Sequence, residues 1–314
     1  MATMRNLLLL LLLGTLSTQV ARAQQLPQVT QYNTLDYLFD PAVAGSRPLF
    51  EMHAAQRNQW VGIQDAPRTF ILSASTPLAS NMGIGGYVFT DNVGPTRRTG
   101  VQFSYAYHLK VTDDIKLGLG LSFGMLQFLI DGSQIEFHDA DEPMLDGQLR
   151  GSLVPDATFG FYLYHEKWWF GATAPQLLHN KVAFYNADDH SFSQLAAHYY
   201  VMAGYRFPIG EDLKLEPSVF LRYVDPVPLQ ADFTATLRYK DMLWLGVTYR
   251  TQDALCVNVG YWLKKSFQFG YSYDMTTSGL QNYSSGTHEI TLGVTFGKTP
   301  HRAASRDAVE APKP

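Results

Sequence analysis

The chain has 314 residues, and its 19 Phe, 18 Tyr and 25 Gly favour a fold rich in aromatic and small side chains over one built on long apolar runs. A net charge of −4 excludes the basic footprint of a nucleic-acid binder. The single cysteine, Cys256, excludes an intramolecular disulfide and a cysteine-based metal site.

Residues 1–23 read as a secretory signal: Arg5 supplies the positive start, Leu7 to Leu13 the apolar run, and Ala21-Arg22-Ala23 the small-x-small cleavage site before Gln24. The run is about half the length of a spanning helix. No cysteine sits at the cleavage site, which argues against a lipoprotein. No later stretch approaches the roughly 18 consecutive apolar residues of a transmembrane helix. Residues 24–48 have no clean period and are broken by Pro27, Pro41, Gly45 and Pro48. They form an N-terminal arm, either periplasmic or folded into a lumen.

From residue 49 the chain alternates apolar and polar residues, the period of a strand with one greasy face. Candidate strands fall at 49–56, 68–77, 82–90, 98–110, 115–128, 155–165, 168–175, 197–207, 213–224, 231–240, 243–250, 255–263, 266–274 and 287–297. Hardly a helix is left to cover an apolar face. The pattern therefore predicts an all-β fold, a transmembrane antiparallel β-barrel of about 14 strands in an outer membrane. Its outside is apolar, and the hairpin 266–297 closes it. Loop lengths give a separate argument. The gaps 78–81, 111–114, 166–167, 208–212, 241–242 and 264–265 are all short, while every long gap falls between them. Outer-membrane barrels have short periplasmic turns, long external loops and both termini in the periplasm. The barrel thus spans 49–297, with 298–314 a polar, disordered periplasmic tail.

The faces follow. Val101, Phe103, Tyr105, Tyr107 and Leu109 are assigned to lipid, with Gln102, Ser104, Ala106 and His108 inward. Leu117, Leu119, Leu121 and Phe123 alternate with Gly118, Gly120 and Ser122 in the same way. A charge on the lipid face at the midplane costs about 2–4 kcal/mol. The charges of strands 213–224 and 231–240 must then point inward, which predicts two lumenal ion pairs, Arg222–Asp232 and Glu216–Arg238.

Few residues suggest chemistry. Asp131, His138, Asp139, Asp141, Glu142 and Asp146 could offer oxygen ligands to a hard cation but lack EF-hand spacing, and a solvated loop explains them. His179, His190 and His198 lack the spacing of a metal site. His288-Glu289 beside Ser284 and Ser285 would need a placed base, nucleophile and orienting group to make a hydrolase. The loop Arg57 to Arg68 carries Trp60 between polar residues and a turn-like Gly62. A Trp there suits a protein-binding hot spot or an interfacial anchor. Tyr273, Asp274 and His288 serve either hydrogen bonding at the barrel mouth or a partner.

Four stretches, FDPAVAG (39–45), RNQWVGIQDAPRTF (57–70), GIGGYVFTDNVGPTRRTG (83–100) and FGYSYDMTTSGLQNYSSGTHEITLGVTF (269–296), carry a resemblance. In this order the chain resembles the PorP/SprF family of outer-membrane proteins of the type IX secretion system in Bacteroidota. The match is loose over 129–196. The resemblance implies a non-catalytic barrel with no cofactor. It would work with secretion or gliding components and with the C-terminal domain of a large secreted surface protein, supporting export or surface attachment. Arg57, Trp60, Gly62, Pro67, Asp91, Gly94, Pro95 and Tyr273 correspond to the family pattern and are the candidate partner-binding or loop motif. Gly94-Pro95 and Pro67 read as turn formers. The alternative function is an outer-membrane transporter or porin for small solutes or hydrophobic ligands. Long-chain fatty-acid transporters share the strand number and the arm, but the inward Gly, Ser, Thr, Arg and Asp speak against a greasy channel.

Overall fold

The computed structural model describes residues 27–135, 149–183, 192–225, 227–264 and 266–297. The signal sequence (1–23), the tail (298–314), the acidic loop from His138 to Asp146 and His190 lie outside the described residues.

Strands β1 (Phe50–Asn58), β2 (Arg68–Ala79), β3 (Met82–Val93), β4 (Thr96–Lys110), β5 (Lys116–Asp131), β6 (Leu149–Tyr164) and β7 (Trp168–Ala174) form one half of the wall. The short strands β8 (Lys181–Ala183) and β9 (Phe192–Gln194) pair as a separate ribbon in the connection that follows. The wall resumes with β10 (His198–Tyr205), which β11 (Phe207–Ile209) continues beyond Arg206. It is completed by β12 (Leu213–Val224), β13 (Val227–Tyr239), β14 (Leu243–Arg250), β15 (Ala254–Leu263), β16 (Phe267–Thr276) and β17 (Thr287–Phe296). Each strand pairs antiparallel with its neighbour, β7 with β10 and β10 with β12, and β17 returns to β1. The result is a closed 14-strand meander with no free sheet edge at the seam. All fourteen expected strands are present. Two boundaries moved by more than three residues. The sixth strand starts at Leu149, not 155, because pairing with β5 extends to Asp131↔Leu149 past the period-breaking Gly151 and Pro155. Strand 231–240 starts at Val227.

The wall is greasy outside: Phe103 is 70% exposed, with Val101, Tyr105, Tyr107 and Leu109 beside it, whereas Gln102, Ser104, Ala106 and His108 are buried inside. No helix among the described residues is long and apolar enough to cross a membrane.

The lumen is filled from within. The arm begins at Pro27 beside Val224, Val227 and Gln230, at the end of the barrel that carries the long loops. It descends through the helical turn α1 (Asp36–Phe39) and a 3-10 turn at Pro41–Val43, and leaves at the short-turn end to become β1. The arm is therefore lumenal. Pro27, the first described residue, lies at the end opposite the short turns. Asp40 begins the 3-10 turn by accepting the Ala42 N–H at 2.9 Å, and Pro41 supplies the fixed φ of its first residue. This turn presses on the inner faces of β4, β5 and β6. The approach requires glycine: a Cβ on Gly120 would collide with the Pro41 and Ala42 backbone, and one on Gly83 with Ala44. The glycines that alternate with leucines in β5 are thus the seat of the arm. Higher up, Val29, Tyr32, Leu35 and Phe39 bury against Ile71, Phe89, Leu126 and Phe220 from the wall. Each large side chain buried this way contributes about 1.5–3 kcal/mol. Part of the lumen face is therefore apolar, which the sequence reading did not anticipate. The arm covers that part.

Candidate functional site

Two features stand out: a buried ionic cluster that clasps the arm, and the long-loop rim above it.

The cluster draws on six strands. Inward positions of β1, β12 and β14 supply Arg57, Arg222 and Arg250, and those of β13, β16 and β17 supply Asp232, Asp274 and Glu289. Arg57 Nη2 donates to Asp274 Oδ2 at 2.8 Å, and Nη1 reaches Glu289 Oε2 at 3.1 Å and Thr30 Oγ1 at 2.9 Å. Arg250 Nε stands 3.2 Å from both Asp232 oxygens, and its Nη1 is 3.2 Å from Asp274 Oδ2. Arg222 Nη2 donates to Asp232 Oδ1 at 2.6 Å. Three guanidiniums face three buried carboxylates, with the partly exposed Asp253 a fourth, 3.4 Å from Arg250 Nη1, so every buried charge is paired, as burial demands. Two arm groups complete it. The Thr30 hydroxyl donates to Asp274 Oδ2 at 2.7 Å, and Glu289 accepts the backbone N–H groups of Thr30 at 2.8 Å and Gln31 at 3.0 Å. Below it Tyr32 Oη contacts Ser218 Oγ at 2.9 Å and donates to Thr234 Oγ1 at 3.0 Å.

Both lumenal pairs read from the sequence are brought together. Arg222 meets Asp232, and Arg238 Nε donates to Glu216 Oε2 at 2.8 Å. Both are diagonal contacts, since Asp232 stands opposite Phe220 and Glu216 opposite Thr236 in the ladder. Arg250, Asp274 and Glu289 were missed as a group. Their signal was a charge on the polar face of each of three strands, near the same end.

Arg57 is not a rim residue. It is 2% exposed and committed to the cluster, so it is unavailable to an incoming partner. Trp60, Gly62, Pro67, Gly94 and Pro95 do lie at the rim. Trp60 and Asp65 adopt positive φ, and Gly62 sits at φ +101° against Tyr283 O. The loop is tied to the β16–β17 connection by Val61 N–H to Gly286 O at 2.8 Å and Ser285 N–H to Val61 O at 2.7 Å. Trp60 N–H donates to Thr287 Oγ1, and Gln59 N–H to Pro67 O. Gly94 N–H donates to Asp65 O, docking the Gly94-Pro95 turn on the same loop. Asp91 accepts the Thr69 hydroxyl at 2.6 Å within the wall. The rim is thus a braced platform of three connections.

The remaining candidates disperse. His288 and Glu289 are successive strand residues on opposite faces. His288 Nδ1 pairs with Tyr271 Oη at 2.7 Å, while Glu289 points into the cluster, so no base and nucleophile meet. Tyr273 Oη donates to Ser285 O at 3.0 Å, which gives it a bracing role at the mouth. His198 faces inward, its Nδ1 2.9 Å from Ala196 O. Among the described residues no group of His, Cys, Asp and Glu is arranged to hold a metal.

The model of the type IX secretion system membrane protein family PorP/SprF matches residues 21–294. The chain belongs to the PorP/SprF family. A PorP/SprF barrel is a type IX secretion membrane protein, and the fold and family together place it in the outer membrane. The family and the barrel are those of a secretion or structural component. No curated protein matches the chain. Among solved structures it is similar to the toluene transporter TbuX of Ralstonia pickettii at 13% identity and TM-score 0.49, over 83% of this chain and 92% of that one. It is similar to the CymD monoaromatic hydrocarbon channel at 12% identity and TM-score 0.48, over 87% and 94%. It is also similar to a FadL homologue of Pseudomonas aeruginosa at 10% identity and TM-score 0.43, over 82% and 94%. Such distant likenesses say nothing about what this lumen does.

Proposed function

We propose that this PorP/SprF barrel supports the export or surface attachment of a large secreted protein, binding its C-terminal domain or its translocation machinery at the long-loop rim. The role is non-catalytic and uses no cofactor. The observation that carries the reading, beyond family membership, is the occupied lumen. An arm hydrogen-bonded to the wall at Thr30, Gln31 and Tyr32, with its apolar side chains buried, occupies the lumen at the level of the clasp. The braced rim is then the surface on which a rigid scaffold presents binding loops.

Deleting the gene and assaying secreted and surface-attached proteins tests this, together with a photo-crosslinking residue at Val61, which is 39% exposed. The expected result is loss of a large surface protein and a crosslink to it or to a secretion component. Unchanged export combined with lost uptake of a small solute would overturn the reading in favour of a transporter or porin.

A further inference from the structure

Below the clasp the arm packs on the β4–β6 side of the wall, and the opposite side of the lumen is left open. A cavity of about 270 Å³ lies there, reaching the short-turn end. One wall of it is built around Glu216, whose side chain is only 8% exposed. Glu216 sits between two guanidiniums: Arg238 Nε donates to Oε2 at 2.8 Å, and Arg206 Nε stands 3.4 Å from Oε1. Both forks are also held from behind. The Arg206 guanidinium lies 4.6 Å over the Trp169 ring and donates through Nη1 to Glu166 O at 2.8 Å. The Arg238 guanidinium lies 5.6 Å from the Trp244 ring.

These contacts engage the Nε edges and fix the two planes. Arg206 Nη2 and both terminal nitrogens of Arg238 have no hydrogen bond among the described residues. Two guanidiniums against one carboxylate leave a single uncompensated positive charge. Over the whole lining the charges balance, because Arg47 faces two acids, so the positive charge is local to the Arg206–Glu216–Arg238 group. Lys214 pairs with Asp241, and Arg47 is fully occupied by Asp36 and Glu51. The unused N–H edges of the two guanidiniums match a carboxylate, which accepts two parallel N–H bonds from such a fork. Trp169 and Trp262 also line the cavity and offer apolar surface to the residue that bears the carboxylate.

We propose that this vestibule is a receptor for the carboxylate of an acidic peptide segment of a partner protein, seated between Arg206 and Arg238 from the short-turn side. The chain's own tail fits poorly in charge, since residues 298–314 hold four Lys and Arg against two acids. The proposal is independent of the export reading, because it concerns the opposite end of the barrel.

The test uses the full chain purified in detergent and a rhodamine-labelled hexapeptide, Ala-Phe-Glu-Glu-Phe-Ala, capped at both ends and followed by fluorescence anisotropy. Saturable binding is expected, at least tenfold tighter than for the twin peptide with Gln in place of Glu. Arg238→Gln and Arg206→Gln should each weaken it at least tenfold while the barrel keeps its heat-modifiable migration on gels. Lys110→Gln, an exposed cation on the same rim, should leave it unchanged. Equal binding of the two peptides, or undiminished binding by both arginine variants, would overturn the proposal. Competition by inorganic phosphate at lower concentration than the peptide would also overturn it, in favour of a free-anion site. A tenfold gain on truncation after Gly297 would name the chain's own tail as occupant instead of a partner.

Discussion

Replacing Glu289 by Gln changes no volume but removes the centre of the arm's clasp. Glu289 Oε1 accepts Gln31 N–H, and Oε2 accepts both Thr30 N–H and Arg57 Nη1. A glutamine has one acceptor oxygen. If that oxygen keeps Thr30 and Arg57, the new NH₂ meets the Gln31 N–H donor to donor. An unsatisfied buried N–H costs about 1–3 kcal/mol, and losing a charge-assisted bond costs about 1.5–3 kcal/mol. Arg57 retains Asp274, so the lower end applies, about 2.5 kcal/mol, or a ~70-fold larger fraction of released arm. The assay is maleimide labelling of Val29→Cys in a Cys256→Ala background, with and without Glu289→Gln. Val29 is fully buried beside the clasp, and cysteine is close to it in size. Labelling within about threefold of the Glu289 parent would refute the idea that this carboxylate holds the arm.

Other consequences follow from the same geometry. Tyr32→Phe removes contacts to Ser218 and Thr234, and should speed Val29→Cys labelling by roughly fivefold to thirtyfold, for a net loss of about 1–2 kcal/mol. Gly120→Leu puts a side chain where the Pro41–Ala42 backbone lies, and should unseat the arm without preventing barrel closure. Protease then cuts the arm while heat-modifiable migration on gels persists. In a double-mutant cycle on Arg222→Ala and Asp232→Ala, read by urea unfolding in detergent, a coupling of about 1–3 kcal/mol is expected. Coupling under a few tenths would mean that Arg250 alone neutralises Asp232.

The wall was legible because a strand writes its two faces into the sequence at a period of two. Val101 to Leu109 show it without exception, and gap lengths separated the two rims. The sixth strand's start was hidden because Gly151 and Pro155 interrupt that period while its ladder with β5 continues. The arm's route was illegible for a different reason. Residues 27–48 have no period, and their structure is dictated by what surrounds them: glycines on β3, β5, β6 and β7, apolar inward residues such as Phe220, and carboxylates on β16 and β17. The candidate site divided along the same line. Arg222 and Asp232 were found because neighbouring strands make neighbouring pairs. Arg57, Asp274 and Arg250 meet from the two sides of the β1–β17 seam around a segment that no local pattern locates. Arg57 was therefore read as a rim residue when it is an interior one.

At that seam Arg57 stands directly opposite Glu289 in the ladder between β1 and β17. The contact that closes the cylinder is also the contact that holds the arm. A slip of one residue between these strands would turn Glu289 to the lipid and bring His288 inside. Thr30 and Gln31 would then lose their acceptor, and Arg57 one of its two carboxylates. Because one carboxylate serves both the seam and the arm, the register of closure and the seating of the arm are coupled, and a barrel zipped out of step holds its plug less firmly.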